Sequence, residues 1–191
     1  MNPRLSILIC HLPKRKAFLD RLFKILDVQI GMFPEGTIQI LINPNETDSV
    51  GKKRNDLLEA ATGDYTCFID DDDRVSIYYI PYIYEGMVQG VDCCSLTGEI
   101  TEDGKNPLLF EHSIKYKEYK TNYIVGNRIK YERYPNHLNT IKSSIAKQFK
   151  FPEKNHGEDT DWATQIFKSG LIKTEHYIPE LLYYYDYRSK K

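Results

Sequence analysis

The stretch Gly63-Asp-Tyr-Thr-Cys-Phe-Ile-Asp-Asp-Asp-Asp73 runs a short apolar segment directly into four consecutive carboxylates. Tyr65 to Ile69 reads as a buried strand. Adjacent carboxylates repel one another, and burying them without partners is costly. A cation at the strand end resolves the conflict. Mg²⁺ and Mn²⁺ favour oxygen ligands and are often held by one or two carboxylates plus substrate phosphates. In extended chain Asp70 and Asp72 face one side, so this D-x-D pair can converge on an ion. The bland alternative is a solvated acidic turn. An EF-hand loop is excluded, because Arg74 and Val75 occupy the last two positions of its D-x-D-x-[DN]-G pattern.

Upstream, Ser49 to Thr62 reads as a helix, with Asp48 or Ser49 as N-cap and Gly63 beyond its end. Thr37 to Ile42 is a strand that stops at the turn signal Asn43-Pro44-Asn45. Lys14 to Val28 is a helix, with Phe18, Leu19, Leu22, Phe23 and Leu26 at helical spacing. Leu5 to Cys10 is apolar and β-branched, as a central parallel strand would be. The order β-α-β-α-β predicts a parallel α/β sheet. Ligands on such sheets bind outside the carboxyl ends of the strands. Those ends carry His11 to Arg15, Asn43 to Asn45, and the aspartate run.

Downstream, Ser76 to Gln89 predicts a helix with Pro81 in its first turn. Asp92 to Ile100 and Leu108 to Ile114 predict a hairpin closed over Glu102-Asp-Gly-Lys105. Lys115 to Pro135 carries no assignable pattern. Lys142 to Phe149 and Glu158 to Lys168 read as helices, the second ended by Gly170, and Tyr177 to Tyr187 reads as extended.

The chain has 191 residues, a size for one domain, with 26 Lys+Arg against 27 Asp+Glu and a net charge of −1. That balance argues against a nucleic-acid partner. With 41% hydrophobic and 13% aromatic residues, disorder is not expected. Cys10, Cys67, Cys93 and Cys94 fit neither a zinc site nor a disulfide framework, so a reducing compartment is expected. The apolar run Leu5 to Cys10 is too short for a signal-peptide core or a membrane span. The expectation is a soluble, cytoplasmic chain. The composition holds 15 Tyr but 1 Trp, an imbalance that calls for a structural location.

Two more segments carry candidate chemistry. Val50-Gly-Lys-Lys-Arg-Asn55 opens the second helix, where a glycine, a helix N-terminus and three cations would suit a diphosphate. The spacing is not that of a P-loop. His156-Gly-Glu-Asp-Thr-Asp-Trp162 places carboxylates in a first helical turn. They complement the helix dipole, or one of them serves as a general base.

Together, the basic G-K-K-R-N helix, G-D-Y-x-x-F-I-D-D-D-D and G-E-D-T-D-W resemble the family 2 glycosyltransferases. The resemblance spans about Leu5 to Ile178 and implies the GT-A fold, a three-layer α/β/α architecture with a mostly parallel central sheet. It implies a single domain over 1–191, with 1–91 as the nucleotide-binding half and 92–191 as the acceptor-side half. It implies a nucleotide-sugar donor, expected to be UDP-linked, a hydroxyl acceptor such as a glycan, and Mn²⁺ or Mg²⁺. On this likeness Asp72 is the metal ligand, with Asp70 near the ion or the donor, and Asp71 and Asp73 assisting. Asp159 matches the catalytic base and Glu158 its acceptor-side support. His11, Pro13 and Arg15 match the nucleotide-binding turn, and Gly51, Lys53, Arg54 and Asn55 the basic patch near the nucleotide. Asn43 and Asn45 stand where an acidic residue often holds the base or ribose, a departure from the pattern. His137 and His176 are candidate additional metal ligands, each with a purely structural alternative.

Three rivals share parts of the pattern. A haloacid-dehalogenase-type phosphatase needs D-x-D after a strand, but its motif usually begins the fold. A nucleotidyltransferase needs a glycine-rich loop after the first strand, and His11 to Arg15 has no glycine. A non-catalytic sugar-binding module would use tyrosines such as Tyr78, Tyr79, Tyr82, Tyr84 and Tyr183 to Tyr187 for stacking.

Overall fold

The computed structural model describes residues 4–125 and 128–188. Strand β1 (Leu5–Cys10) is followed by a single 3₁₀ turn at Pro13–Arg15 and helix α1 (Lys16–Ile30). Then come β2 (Ile38–Asn43), α2 (Val50–Ala60), β3 (Tyr65–Phe68), β4 (Arg74–Val75) and α3 (Tyr79–Gln89). The second half contains β5 (Cys93–Cys94), β6 (Leu96–Glu102), β7 (Lys105–His112), β8 (Lys120–Val125), β9 (Arg128–Arg133) and β10 (Ile141–Lys142). It ends with α4 (Ser143–Ala146), α5 (Glu158–Ser169), β11 (Glu175–His176) and β12 (Leu181–Tyr187).

Two six-stranded sheets form. In the first, ordered β11-β5-β10-β3-β1-β2, strands β2, β1 and β3 run parallel, while β10 enters antiparallel between β3 and β5. Alternation along β1 explains the layering. Leu5, Ile7 and Ile9 join Leu19, Leu22 and Leu26 of α1 and Ile80, Ile83 and Met87 of α3 in one core. Leu8 joins Leu57 and Leu58 of α2, Ile145 of α4 and Trp162 and Ile166 of α5 in the other. A strand apolar on both faces needs cover on both, and the helices supply it.

The second sheet, β4-β12-β6-β7-β9-β8, is mixed and flanks the first. The expected hairpin is β6–β7, closed at Asp103 and Gly104. Both have positive φ (50° and 74°), the requirement of a two-residue I′ turn. The unassigned stretch 115–135 supplies β8 and β9, whose Lys, Arg and Asn content hides their alternation. Gly126 and Asn127 of that stretch lie outside the described residues, as do the ends 1–3 and 189–191 of the expected domain. The helix expected over 142–149 is shorter, because Ile141 and Lys142 pair with β3 instead. Among the described residues no helix is long and apolar enough to cross a membrane.

Candidate active site

A cleft of about 730 Å³ opens at the carboxyl ends of β1 and β3. One wall carries Asp70 to Asp73, another Lys53 and Arg54 of α2, and a third Glu158 and Asp159 at the start of α5. His137, Arg133, Phe110 and Tyr185 line the remainder.

The aspartate run does not continue as extended chain. The Asp73 N–H donates to the Asp70 carbonyl at 3.1 Å, closing a turn, so strand alternation does not set its side-chain directions. Each carboxylate is fastened to a different element. Asp70 Oδ1 lies 3.1 Å from Arg54 Nη2. Asp71 is buried and accepts from His11 Nδ1 (2.8 Å), Leu12 N (2.9 Å) and Arg15 Nη1 (2.9 Å). Asp72 Oδ2 lies 3.1 Å from Arg15 Nη2 and 3.6 Å from Arg188 Nη1. Asp73 accepts from Tyr183 Oη (2.7 Å) and the Asp186 N–H (3.1 Å). Burial, together with the charges of Asp70 and Asp72, pushes the Asp73 carboxyl well above its usual range.

The basic opening of α2 plays a different part from the diphosphate cradle expected of it. Ser49 caps the helix, its Oγ accepting from Lys52 N. The Gly51 N–H donates to Lys154 O at 3.1 Å and the Val50 N–H to Asn155 Oδ1 at 3.0 Å. The free donors of this helix start are thus consumed by the 152–155 segment. A Cβ on Gly51 would sit 1.8 Å from the Pro152 carbonyl oxygen, so the close backbone approach is to Pro152. Asn55 exchanges two hydrogen bonds with the Phe151 backbone, both 2.9 Å, and does not line the cleft. Lys52 is spent on Asp56, one helical turn on. Lys53 is buried and donates to the His11 carbonyl at 2.8 Å, tying α2 to the loop after β1.

Arg54 is 5% exposed at its side chain and joins the two acidic motifs. Its Nη2 meets Asp70 and its Nε meets Glu158 Oε1 at 3.3 Å. The guanidinium lies over the rings of Phe68 (5.1 Å) and Phe151 (5.9 Å), and Phe151 stacks on Trp162 at 4.6 Å. This sandwich explains the tryptophan of G-E-D-T-D-W. It fixes α5 so that Asp159 faces the cleft.

Asp159 is 31% exposed at its side chain, with Oδ2 3.7 Å from His137 Nδ1. Burial pushes its carboxyl up, but His137, Arg54 and the Thr160 N–H outweigh burial and hold it below the usual carboxylate range. His137 is buried against Phe68, and burial plus the Arg54 charge push its pKa down to about 4.

His176 lies elsewhere. It sits on β11 against Gly86 of α3, with Glu85 at 3.9 Å and Gln89 at 3.2 Å, and does not line the cleft. The expectation that it joins a metal site is corrected, because β11 is the edge strand farthest from β1 and β2 in its sheet. Pro13 starts the 3₁₀ turn and presents nothing to the cleft, whereas Arg15 does. Asn43 is used locally, accepting from Asn45 N at 3.0 Å, while Asn45 reaches the cleft rim. Glu46 and Asp48 line the cleft beside Asn45.

Sequence reasoning missed Asp186 and Arg188 and gave Tyr183 only a stacking role, whereas all three reach the aspartates from β12 and the residue after it. The tyrosine run was the available signal. Tyr183 is buried beneath Asp73, and Tyr185 lines the cleft. Tyr79 belongs to the core, and Tyr78, Tyr82 and Tyr84 lie away from the cleft.

Among solved structures the fold matches S. aureus TarS 1-349 in complex with UDP-GlcNAc, at TM-score 0.68 and 14% identity, over 98% of this chain and 60% of that one. The same protein in complex with UDP matches at TM-score 0.66 and 14% identity, over 96% and 60%. S. aureus TarS matches at TM-score 0.55 and 12% identity, over 96% of this chain and 36% of that one. At such identities the likeness shows the fold, which is that of a GT-A glycosyltransferase, and this chain spans 60% or less of those structures. No curated protein sequence matches. A profile of known families does: "Glycosyl transferase family 2" matches residues 32–153, a segment that includes the aspartate turn and Arg54. With well over half its length in that match, the chain belongs to glycosyl transferase family 2.

Proposed function

We propose that the chain transfers a sugar, a hexosyl unit, from a UDP-sugar to a hydroxyl of a glycan or similar acceptor, by a single inverting displacement. The observation that carries this reading is the convergence of Asp70 to Asp73 and Glu158–Asp159 on one cleft through Arg54. The ligands of the S. aureus TarS complexes, UDP and UDP-GlcNAc, support a UDP-linked donor. The catalytic unit is one domain over 1–191, with the donor held chiefly by 1–91 and the acceptor by 92–191.

The residues present suit a divalent cation of the hard, oxygen-seeking kind. Asp70 and Asp72 both line the cleft, and Asp73 beneath them lies in a surplus of negative charge. Among the described residues no ready cluster of three His, Cys, Asp or Glu ligands exists. Mg²⁺ is often held by one or two carboxylates and completed by substrate phosphates. Mn²⁺ or Mg²⁺ on Asp72 and Asp70 would offset the charge that develops on the departing diphosphate.

The chain's own groups do the rest. Arg15 and Arg188 stand beside Asp72, where diphosphate oxygens would lie. Asp48 and Glu46 line the rim, where the ribose or base would lie. Asp159 accepts the proton of the acceptor hydroxyl as that oxygen attacks the anomeric carbon and the bond to the diphosphate breaks. The cleft walls hold the two substrates in line, which lowers the entropic part of the barrier.

The test is a screen of nucleotide sugars with Mn²⁺, reading UDP release, followed by Asp159→Asn. The variant should bind UDP with wild-type affinity and lose transfer by about 10²- to 10⁴-fold. Wild-type transfer by Asp159→Asn would refute the assignment of the base.

A further inference from the structure

Three buried polar atoms beside Asp159 have no hydrogen-bond partner: Arg54 Nη1, His137 Nδ1 and His137 Nε2. A buried polar group without a partner is costly, and few survive in folded proteins. Here three occur on two neighbouring side chains. The His137 backbone is pinned, its carbonyl accepting from Phe68 N at 2.9 Å. The turn that carries it is held by Asn139 Oδ1 on Asn136 N and by Asn136 Oδ1 on Leu138 N, both 3.0 Å. These hydrogen bonds fix the backbone that carries the ring.

We propose that His137 is a positioning residue for the base. Arg54 Nη1 donates to His137 Nε2, and His137 Nδ1–H donates to Asp159 Oδ2. The donor inventory selects this order. Arg54 only donates and the Asp159 carboxylate only accepts, so the imidazole between them must accept on one side and donate on the other. A neutral ring with its proton on Nδ1 does both. The 3.7 Å separation of Nδ1 from Oδ2 is longer than a hydrogen bond, and such contacts often tighten only with substrate bound. Burial beside Arg54 keeps the ring neutral, consistent with this tautomer. The line fixes which carboxylate oxygen faces the acceptor. It also couples the base to Asp70, since Arg54 Nη2 holds that residue. The inference rests on Asp159 being the base.

The geometry is tested without substrate, by long-range ¹H–¹⁵N correlation spectra of ¹⁵N-histidine protein at neutral pH. His137 should show the neutral Nδ1–H tautomer, and Asp159→Ala should move its Nδ1 resonance. An Nε2–H tautomer, a doubly protonated ring, or signals indifferent to Asp159→Ala would overturn the line. Its role is tested with the donor that the screen identifies. His137→Asn, whose amide nitrogen replaces Nδ1, should keep most of kcat. His137→Gln, whose amide nitrogen replaces Nε2, should lose about 10- to 100-fold in kcat with donor KM unchanged. Equal kcat for the two variants, or a loss confined to KM, would overturn the positioning role. If Asp159→Asn transfers normally the base reading fails instead, and the spectra still decide whether the line exists.

Discussion

Arg54 Nε lies 3.3 Å from Glu158 Oε1, joining residues 104 positions apart, with both side chains almost fully removed from solvent. Through this pair the helix that follows β2 sets the helix carrying Asp159, the proposed base. Arg54 is therefore a structural bridge between the D-x-D turn and the E-D motif.

Removing one partner of a buried ion pair strands the other's charge, at a cost of about 3–5 kcal/mol. Arg54→Met leaves Glu158 and Asp70 without it. Chemical denaturation should show a loss of that order, with transfer abolished. Arg54→Lys cannot span both carboxylates from a planar fork and should recover only part of the stability.

Gly51→Ala tests the packing role of the α2 start. The added methyl would lie 1.8 Å from Pro152 O, and the obstacle is backbone. Relief requires the 152–155 segment to shift, and with it α5. A destabilisation of about 1–3 kcal/mol is expected, together with a fall in kcat, because Asp159 moves with the helix. Thermal melting and turnover on the same sample check both.

Metal removal separates the carboxylates. UDP affinity by calorimetry should fall at least tenfold in EDTA relative to Mn²⁺. Asp72→Ala should bind UDP equally weakly with and without the metal. Equal affinity in wild-type protein under the two conditions would remove the cation from the reading.

The pH profile follows from the direction of the Asp159 shift. His137 and Arg54 hold its carboxyl below the ordinary carboxylate range despite burial. The proposed base acts when ionised, so kcat/KM should stay flat from neutral pH down to that range and fall only below it. The same sign applies to folding. The stabilisation from this depressed group is complete above its unfolded pKa and is lost as pH falls through the lower, folded one. Arg54 faces Asp159 from α2, His137 from the 136–139 turn and Asp70 from the aspartate turn. Stopped-assay rates across an acid series, with parallel melting curves, would reveal a limb at higher pH if the direction were wrong.

The first three strands and two helices were legible because each has its own period. Leu5 to Cys10 is apolar at every position but Ser6, as suits a strand covered on both faces, and α1 repeats its leucines at helical spacing. The β6–β7 hairpin was legible from Asp103-Gly104, a dipeptide suited to two positive φ values. Strands β8 and β9 were not. A polar strand in a flanking sheet is stabilised by its ladder, and a ladder leaves no mark on hydropathy.

The acidic motifs were readable as chemistry, and their sequence context carried the family. The sequence by itself determined which groups can take a proton, hold a cation or form a strand, since those are properties of side chains and of short-range periodicity. Only the tertiary structure decided what each charge faces. The cations of α2 looked open to a diphosphate, yet Lys53 went to His11 O and Arg54 to Asp70 and Glu158. His137 and His176 looked alike, and packing set one beside Asp159 and the other against Gly86. The reason is physical: a charge buried by folding takes the partner that distant chain segments bring within about 3 Å, and that distance is set by the packing of the whole core.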